Sequence, residues 1–193
     1  SRRIDGQINK LIRDAIAAAN KKTAAANVKS NPKTTAAEKK AIESSTKIVL
    51  TPEGKIVSDN FRSNKGRLPW PVERGTVSRG FGPYKHPVYG SDMDNKGIDF
   101  KTEKSANVRA VFEGKVISVV NNPIYKNAVI ISHGDYFTVY TKLESVNVSK
   151  GQTISAKQII GKVYTDEDTN ETEIHFELWQ GNVTQNPAYW IAR

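Results

Sequence analysis

The sequence predicts a mainly β, antiparallel domain with α-helices in front of it. Before residue 66 the apolar residues recur at helical spacing; from residue 67 the pattern changes to period two. The later part holds short runs rich in Val, Ile, Tyr and Phe, punctuated by Gly, Asn, Asp and Pro. The gaps between these runs are too short for crossover helices, so the strands pair antiparallel. The 193 residues therefore divide into a helical region, 1–66, and a β domain, 67–193.

Residues 1–27 read as a helix. Ile4, Ile8, Leu11 and Ala15 follow 4-3-4 spacing, with Ile12 and Ile16 widening the stripe. That spacing suits the end of a coiled coil with a partner helix, and an amphipathic helix packed on the body fits as well over so few turns. The tract Asn27–Lys33, with Pro32 as breaker, ends it. Residues 35–46 predict a second, short helix, poor in large apolar residues and mobile unless a partner holds it. Thr51-Pro52-Glu53 is a helix start: Thr caps, Pro suits the first position and Glu favours the positive end of the dipole. Ile56, Val57 and Phe61 give this helix an apolar face, and it ends near Asn64-Lys65-Gly66. Strands follow over Val108–Phe112, Lys115–Val120, Ala128–Ser132, Tyr136–Tyr140, Val146–Val148, Ile159–Val163 and Glu173–Leu178, with Gly114, Gly134, Gly151 and Gly161 at turns.

The net charge of +9 is uneven: residues 1–64 hold 13 Lys/Arg against 6 Asp/Glu, residues 65–193 hold 16 against 14. The β domain lacks the interleaving of basic and aromatic residues that nucleic-acid binding needs, so no nucleic-acid partner is expected. There is no cysteine, so no disulfide supports the fold. No run approaches the ~20 apolar residues of a membrane span. No signal peptide is visible at Ser1; the chain opens inside a helical pattern, as a trimmed piece would.

The β domain carries, in order, Arg79-Gly-Phe-Gly82, His86-Pro87, Lys96-Gly-Ile-Asp99, Val111-Phe-Glu-Gly-Lys-Val116, Ile131-Ser-His-Gly134, Tyr136–Tyr140, Lys150-Gly151-Gln152, Ile160-Gly161 and His175-Phe-Glu177. This collinear set over residues 67–193 resembles the lysostaphin/LytM-type zinc endopeptidases of peptidoglycan, and a collinear series is far more specific than one short motif. Gly66-Arg-Leu-Pro-Trp-Pro71 and the helices before it look like the EnvC-type branch, which carries a coiled coil ahead of its LytM domain and activates cell-wall amidases.

In active members the resemblance implies a zinc held by a His, by an Asp four residues later, and by the second His of a His-x-His strand. The His of a Tyr-x-His-Leu segment and the first His of His-x-His serve the water and the transition state. Here Asn95 stands at the first ligand position, while Asp99 and His175 keep the other two. Lys142 and Glu173 replace the supporting histidines. A hydrolytic zinc needs about three ligands, an open position and a nearby base. Asn95 offers only a neutral amide oxygen, and Lys142 sets a positive charge beside a divalent cation. The resemblance, with these replacements, implies no catalytic residue and no zinc. An altered ligand set of Asp99, Glu173 and His175 keeps a zinc endopeptidase as one alternative; a passive peptidoglycan-binding module is the other.

Lys142 is expected to pair with Asp99, Glu173 or both, worth a few kcal/mol if buried and far less if exposed. His175 is expected as a half-buried strand histidine bonded to a neighbour, His86 as a structural or groove-wall residue, His133 as a turn residue, and Trp70, Trp179 and Trp190 as packing. Arg79, Phe81, Tyr140 and Lys142, flanked by Tyr136, are expected to line the former substrate groove, which becomes a protein-docking surface. By resemblance, the chain is a non-catalytic regulator of the Gram-negative periplasm, in cell division or remodelling. Its partners are a peptidoglycan amidase, which it binds and activates, peptidoglycan itself, and a coiled-coil partner for the N-terminal helix. Residues 1–46 are expected to gate the groove and residues 51–64 to serve as a permanent strut.

Overall fold

The computed structural model describes residues 2–123 and 126–193, the side chains of Arg2, Arg3 and Ile4 excepted, so the expected place of Ile4 in the apolar stripe lies outside the described residues. Three helices come first: α1 (Arg2–Ser30), α2 (Ala36–Glu43) and α3 (Pro52–Ser63). Helix α1 runs past Asn27, because the Asn31 amide still reaches the Asn27 carbonyl at 2.8 Å before Pro32 ends the ladder. Helix α2 opens on a capping box between Thr35 and Glu38. Helix α3 opens as its sequence predicts, with the Thr51 hydroxyl accepting from the Gly54 amide at 3.1 Å.

Twelve strands follow among the described residues: β1 (Thr76–Arg79), β2 (Gly82–Lys85), β3 (Asp92–Asn95), β4 (Ile98–Lys101), β5 (Asn107–Arg109), β6 (Gly114–Asn122), β7 (Lys126–His133), β8 (Tyr136–Val146), β9 (Thr153–Ile154), β10 (Ile159–Val163), β11 (Glu173–Gln180) and β12 (Val183–Gln185). The main antiparallel sheet has the order β1-β4-β11-β8-β7-β6-β9, with β12 on β11, β10 on β8 and β5 on β10. Strands β2 and β3 form a separate hairpin.

Strand alternation sorts the sheet into two faces. The inner face buries Phe100, Ile131, Tyr140, Ile174, Phe176 and Leu178 against Phe61 of α3, Leu68, Val72 and Trp190. The outer face presents Ile130, Phe137, Val139 and Trp179, and there Ile8, Ile12 and Ile16 of α1 close a second core. Helix α1 is thus the amphipathic helix packed on the body, not the free arm of a coiled coil. Its buried stripe runs at four-residue steps through Ile8, Ile12 and Ile16, with Leu11 and Ala15 only flanking it. It also holds the chain between α2 and α3. The Asn20 carboxamide donates to the Ser45 and Lys47 carbonyls at 3.0 and 2.9 Å and accepts from the Val49 amide at 2.7 Å. The Thr23 hydroxyl donates to the Val49 carbonyl at 2.9 Å. The segment after α2 is fixed at Ser45, Lys47 and Val49 by these bonds to buried side chains, while α2 itself buries no residue.

Three expectations need correction. Ile56 is 62% exposed; α3 buries Phe61 as expected, and Ser58 where Ile56 was expected. The helix meets the sheet over Gly134, whose φ of +80° suits glycine and whose added Cβ would strike Ser58 and Gly54. His133 is no turn residue: it is fully buried, stacked on Phe61 with ring centroids 4.7 Å apart. Its Nδ1–H donates to the Glu113 carbonyl at 2.6 Å and its Nε2 accepts from Thr138 at 2.8 Å. Burial pushes its pKa down to about 4, against the bond to Glu113, so it is neutral in the fold. Tyr136 and Tyr140, expected along a groove, are core residues because their strand positions face inward.

Phe61 touches the rings of Phe112, His133, Tyr136 and Trp190. Phe61→Ala should lower the free energy of unfolding by about 3–5 kcal/mol, read as a shifted urea midpoint at unchanged slope.

Candidate functional site

The residues at the motif positions are built on one cross-strand row. Register sets Arg79 of β1 opposite Asp99 of β4, Asp99 opposite His175 of β11, and His175 opposite Thr141 of β8. Residues paired in this way share a face. On β11 the odd positions Glu173, His175, Glu177 and Trp179 therefore lie on the outer face, the one α1 covers. The turn from β3 into β4 is pressed against β11: a Cβ on Gly97 would run into the Phe176 carbonyl, so the spacing between Asn95 and Asp99 needs glycine there.

His175 sits between two carboxylates. Its Nδ1 lies 2.6 Å from Asp99 Oδ1 and its Nε2 lies 2.9 Å from Glu177 Oε1. The other oxygen of Glu177 accepts from Trp179 Nε1 at 2.7 Å, and the Arg79 guanidinium stands 3.5 Å from Asp99 Oδ2. Burial alone would lower the His175 pKa, but the Asp99 and Glu177 carboxylates outweigh it and push the pKa up to about 9. Its ring is an imidazolium at neutral pH, donating from both nitrogens. Burial would likewise raise Asp99, but the bond to His175, with the charges of His175, Lys142 and Arg79, holds its carboxyl below the usual range.

The substituted positions are also engaged. Asn95 is buried; its Nδ2 donates to the Gly80 carbonyl at 2.9 Å and its Oδ1 faces the Gly97 amide at 3.4 Å. Lys142 Nζ meets Glu173 Oε1 at 2.6 Å, and Ser78 donates to Glu173 Oε2 at 2.6 Å. Lys142 has a φ of +64° where β8 carries an extra residue against β7 between Tyr140 and Leu143. Such a bulge re-aims a side chain, and the left-handed backbone costs of order 1–3 kcal/mol. The Lys142 side chain is 39% exposed, so its bridge belongs to the surface class worth up to about 1 kcal/mol.

Asp99 and His175, read together from sequence, do meet. Lys142 pairs with Glu173 and not with Asp99, whose oxygens are taken by His175 and Arg79. Arg79 lies over the Tyr84 ring at 4.4 Å, and Phe81 is 37% exposed. Of the four expected groove residues, Arg79, Phe81 and Lys142 thus reach the surface, while the Tyr140 hydroxyl accepts from the Val111 amide at 3.0 Å inside the core. His86 caps its own turn, with Nδ1 accepting from the Val88 and Tyr89 amides at 3.2 Å each. Glu177 and Ser78 escaped the sequence reading, although Glu177 stands two residues after His175 and so shares its face. Asp5 of α1 was missed as well: it is close enough to Glu177, Lys96 and His175 to feel their charges, and burial followed by Glu177 raises its pKa. The first turns of α1 therefore lie beside His175 and Glu177.

Residues 93–187 match the model of peptidase family M23. The β domain belongs to peptidase family M23. It is 34% identical over 113 residues to the peptidoglycan DD-endopeptidase ShyB of Vibrio cholerae, covering 56% of this chain and 26% of that protein. It is 31% identical over 124 residues to the murein hydrolase activator NlpD of Escherichia coli, covering 63% of this chain and 30% of that protein. The match thus spans about a quarter to a third of these relatives. Among solved structures, a zinc-containing peptidase from Vibrio cholerae superimposes with a TM-score of 0.58 at 30% identity, over 67% of this chain and 41% of that one. A SpoIIQ–SpoIIIAH pore-forming complex gives 0.55 at 25% identity, over 66% and 92%. The M23 domain and its mainly β fold with N-terminal helices are those the motifs imply, and the relatives are proteins of the cell envelope.

The raised His175 pKa sets a pH dependence. A group whose pKa rises on folding stabilises fully below its unfolded value of 6.5 and loses that contribution as pH climbs through about 9. Stability should therefore fall by about 3 kcal/mol between pH 6.5 and 9.5. Urea unfolding across that range checks this, and His175→Gln should flatten the profile.

Proposed function

We infer that this chain is a non-catalytic regulator of the cell envelope, most directly an activator of a peptidoglycan amidase in the periplasm. The observation that supports this reading is that every zinc-position donor is spent within the chain. His175 turns both ring nitrogens to carboxylates, Asn95 uses both ends of its amide on backbone, and Lys142 brings an ammonium to Glu173. These donors do not fit zinc: the metal needs lone pairs that here face protons, and a nearby ammonium opposes a divalent charge. Nor is a base left to activate water, since Glu173 is paired and the His175 ring is cationic. The named role of the relative NlpD as a murein hydrolase activator supports the regulatory half of the reading. Arg79, Phe81 and Lys142 are the surface offered to the amidase.

Helix α1 lies beside this surface and does not cover it. It lies on the face that carries His175 and Glu177, held by Ile8, Ile12 and Ile16. In this reading the helix restrains the chain until it is displaced. The named role of ShyB as a DD-endopeptidase keeps the altered-zinc reading as the second one, resting on the retained Asp99 and His175.

Elemental analysis after purification in zinc-containing buffer should find far less than one zinc per chain, with no cleavage of purified peptidoglycan. About one zinc per chain together with cleavage would establish the endopeptidase reading instead. In an assay with the cognate amidase, Ile12→Asp, which puts a charge beneath α1, should raise activation several-fold over the unaltered chain. Equal activation would mean that α1 is only a tether.

A further inference from the structure

The motif Gly66-Arg-Leu-Pro-Trp-Pro71 has no part in the site around Asp99 and His175, yet it builds a second cradle with the other end of the chain. The Trp190 carbonyl accepts from the Gly66 and Leu68 amides at 2.8 and 3.1 Å, and the Ala192 amide returns to the Leu68 carbonyl at 2.8 Å. The Trp70 indole N–H donates to the Ala192 carbonyl at 2.8 Å, and its ring lies 4.9 Å from Phe100. Pro69 and Pro71 stiffen the segment on either side of Trp70. Beside it an open depression of about 560 Å³ is lined by Trp70, Glu73, Arg74, Arg109 and Arg193, among others.

Three guanidiniums around one hollow, with Glu73 as the sole acidic side chain lining it, is a local excess of positive charge. It is not shared by the β domain at large, whose basic and acidic residues nearly balance. Among the described residues none of the three arginines takes part in an ion pair within the chain. Arg109 is moreover prealigned: its Nε donates to the Trp70 carbonyl at 2.9 Å, which fixes the plane of the guanidinium and leaves its terminal nitrogens free to donate elsewhere. A solvated basic surface needs no such anchoring. An apolar wall, one fixed guanidinium and two exposed ones make up the arrangement that arginine offers to oxyanions, because its donors match a carboxylate or phosphate in pairs.

We propose that this depression is an anion-binding site, separate from the M23 centre, for a ligand carrying a dianionic group. That chemistry is shared by a phosphate monoester and by a pair of neighbouring carboxylates on a peptide. Arg109 orients the bound anion, Arg74 and Arg193 close on it from the rim, and Trp70 gives the carbon skeleton an apolar wall. The site does not depend on the amidase reading, since none of its residues belongs to the former zinc region.

The test uses the full chain titrated with inorganic phosphate in one arm and glutarate in the other, followed by amide chemical shifts and by calorimetry at low ionic strength. Both anions should bind saturably, with the largest shifts at Trp70, Arg74 and Arg109, and the tighter of the two identifies the source of the ligand. The double variant Arg74→Glu/Arg193→Glu alters two exposed side chains that hold no bond in the fold, so its thermal midpoint should stay within a degree or two while affinity drops at least tenfold. Arg109→Lys, which keeps the charge but loses the paired donors, should weaken binding more for the planar carboxylates than for phosphate. Failure of both anions to saturate, or equal affinity in the double variant, would overturn the proposal.

Discussion

The antiparallel pairing of β4 with β11 is the constraint on which the site depends. It places Asp99 against His175 in a row that continues to Arg79 on one side and Thr141 on the other. The row closes tightly because Gly97 lets the preceding turn lie on the Phe176 carbonyl. Once this register is set, alternation along β11 delivers Glu173, Glu177 and Trp179 to the same face with no further instruction. A one-residue slip would bury all four side chains against Phe100 and Tyr140, which is why the apolar inner face fixes the polar outer one.

Within that register the chain balances its own charge. Two carboxylates flank a cationic imidazole, a guanidinium stands behind one of them, and a separate ammonium meets the third carboxylate. Alternating charges held at hydrogen-bond distance in a half-dry setting stabilise one another, while any member left alone would be costly. A peptidase described as zinc-containing shares this fold; in this chain the side chains at the motif positions bond to one another and to the backbone.

Much of this was legible from residues. The change from helical to alternating spacing near residue 66, the Thr51-Pro52 helix start and strands β5, β6, β7, β8, β10 and β11 follow from local pattern, which depends on near neighbours; the short strands β1–β4, β9 and β12 do not, and the expected run Val146–Val148 only ends β8. The meeting of Asp99 and His175 was legible only through the collinear motifs, since 76 residues separate them. What local pattern could not supply was which side of a strand faces the core where a bulge intervenes. Tyr140 and Lys142 share parity, yet the extra residue in β8 sends one inward to the Val111 amide and the other outward to Glu173. His133 failed for a related reason: glycine after it signals a turn, but the ring belongs to the last inward position before that turn and is locked beneath Phe61. The burial of α1 was open between two readings, because an isoleucine stripe looks the same to a partner helix and to a sheet.

The Asn20 clamp has a mechanical consequence. Three bonds from one carboxamide, with a fourth from Thr23, weld α1 to the strand of chain that leads into α3. A pull on the first helix cannot be absorbed by stretching the connector after α2, because that connector is bonded to the helix itself. The load passes instead to the Leu50–Thr51 joint, where the chain enters a helix seated on Gly134. Helix α1 is itself seated on the sheet through Ile8, Ile12 and Ile16, so the connector and the joint it feeds share the rigidity of that contact, and lifting the helix would loosen the entry to α3 with it.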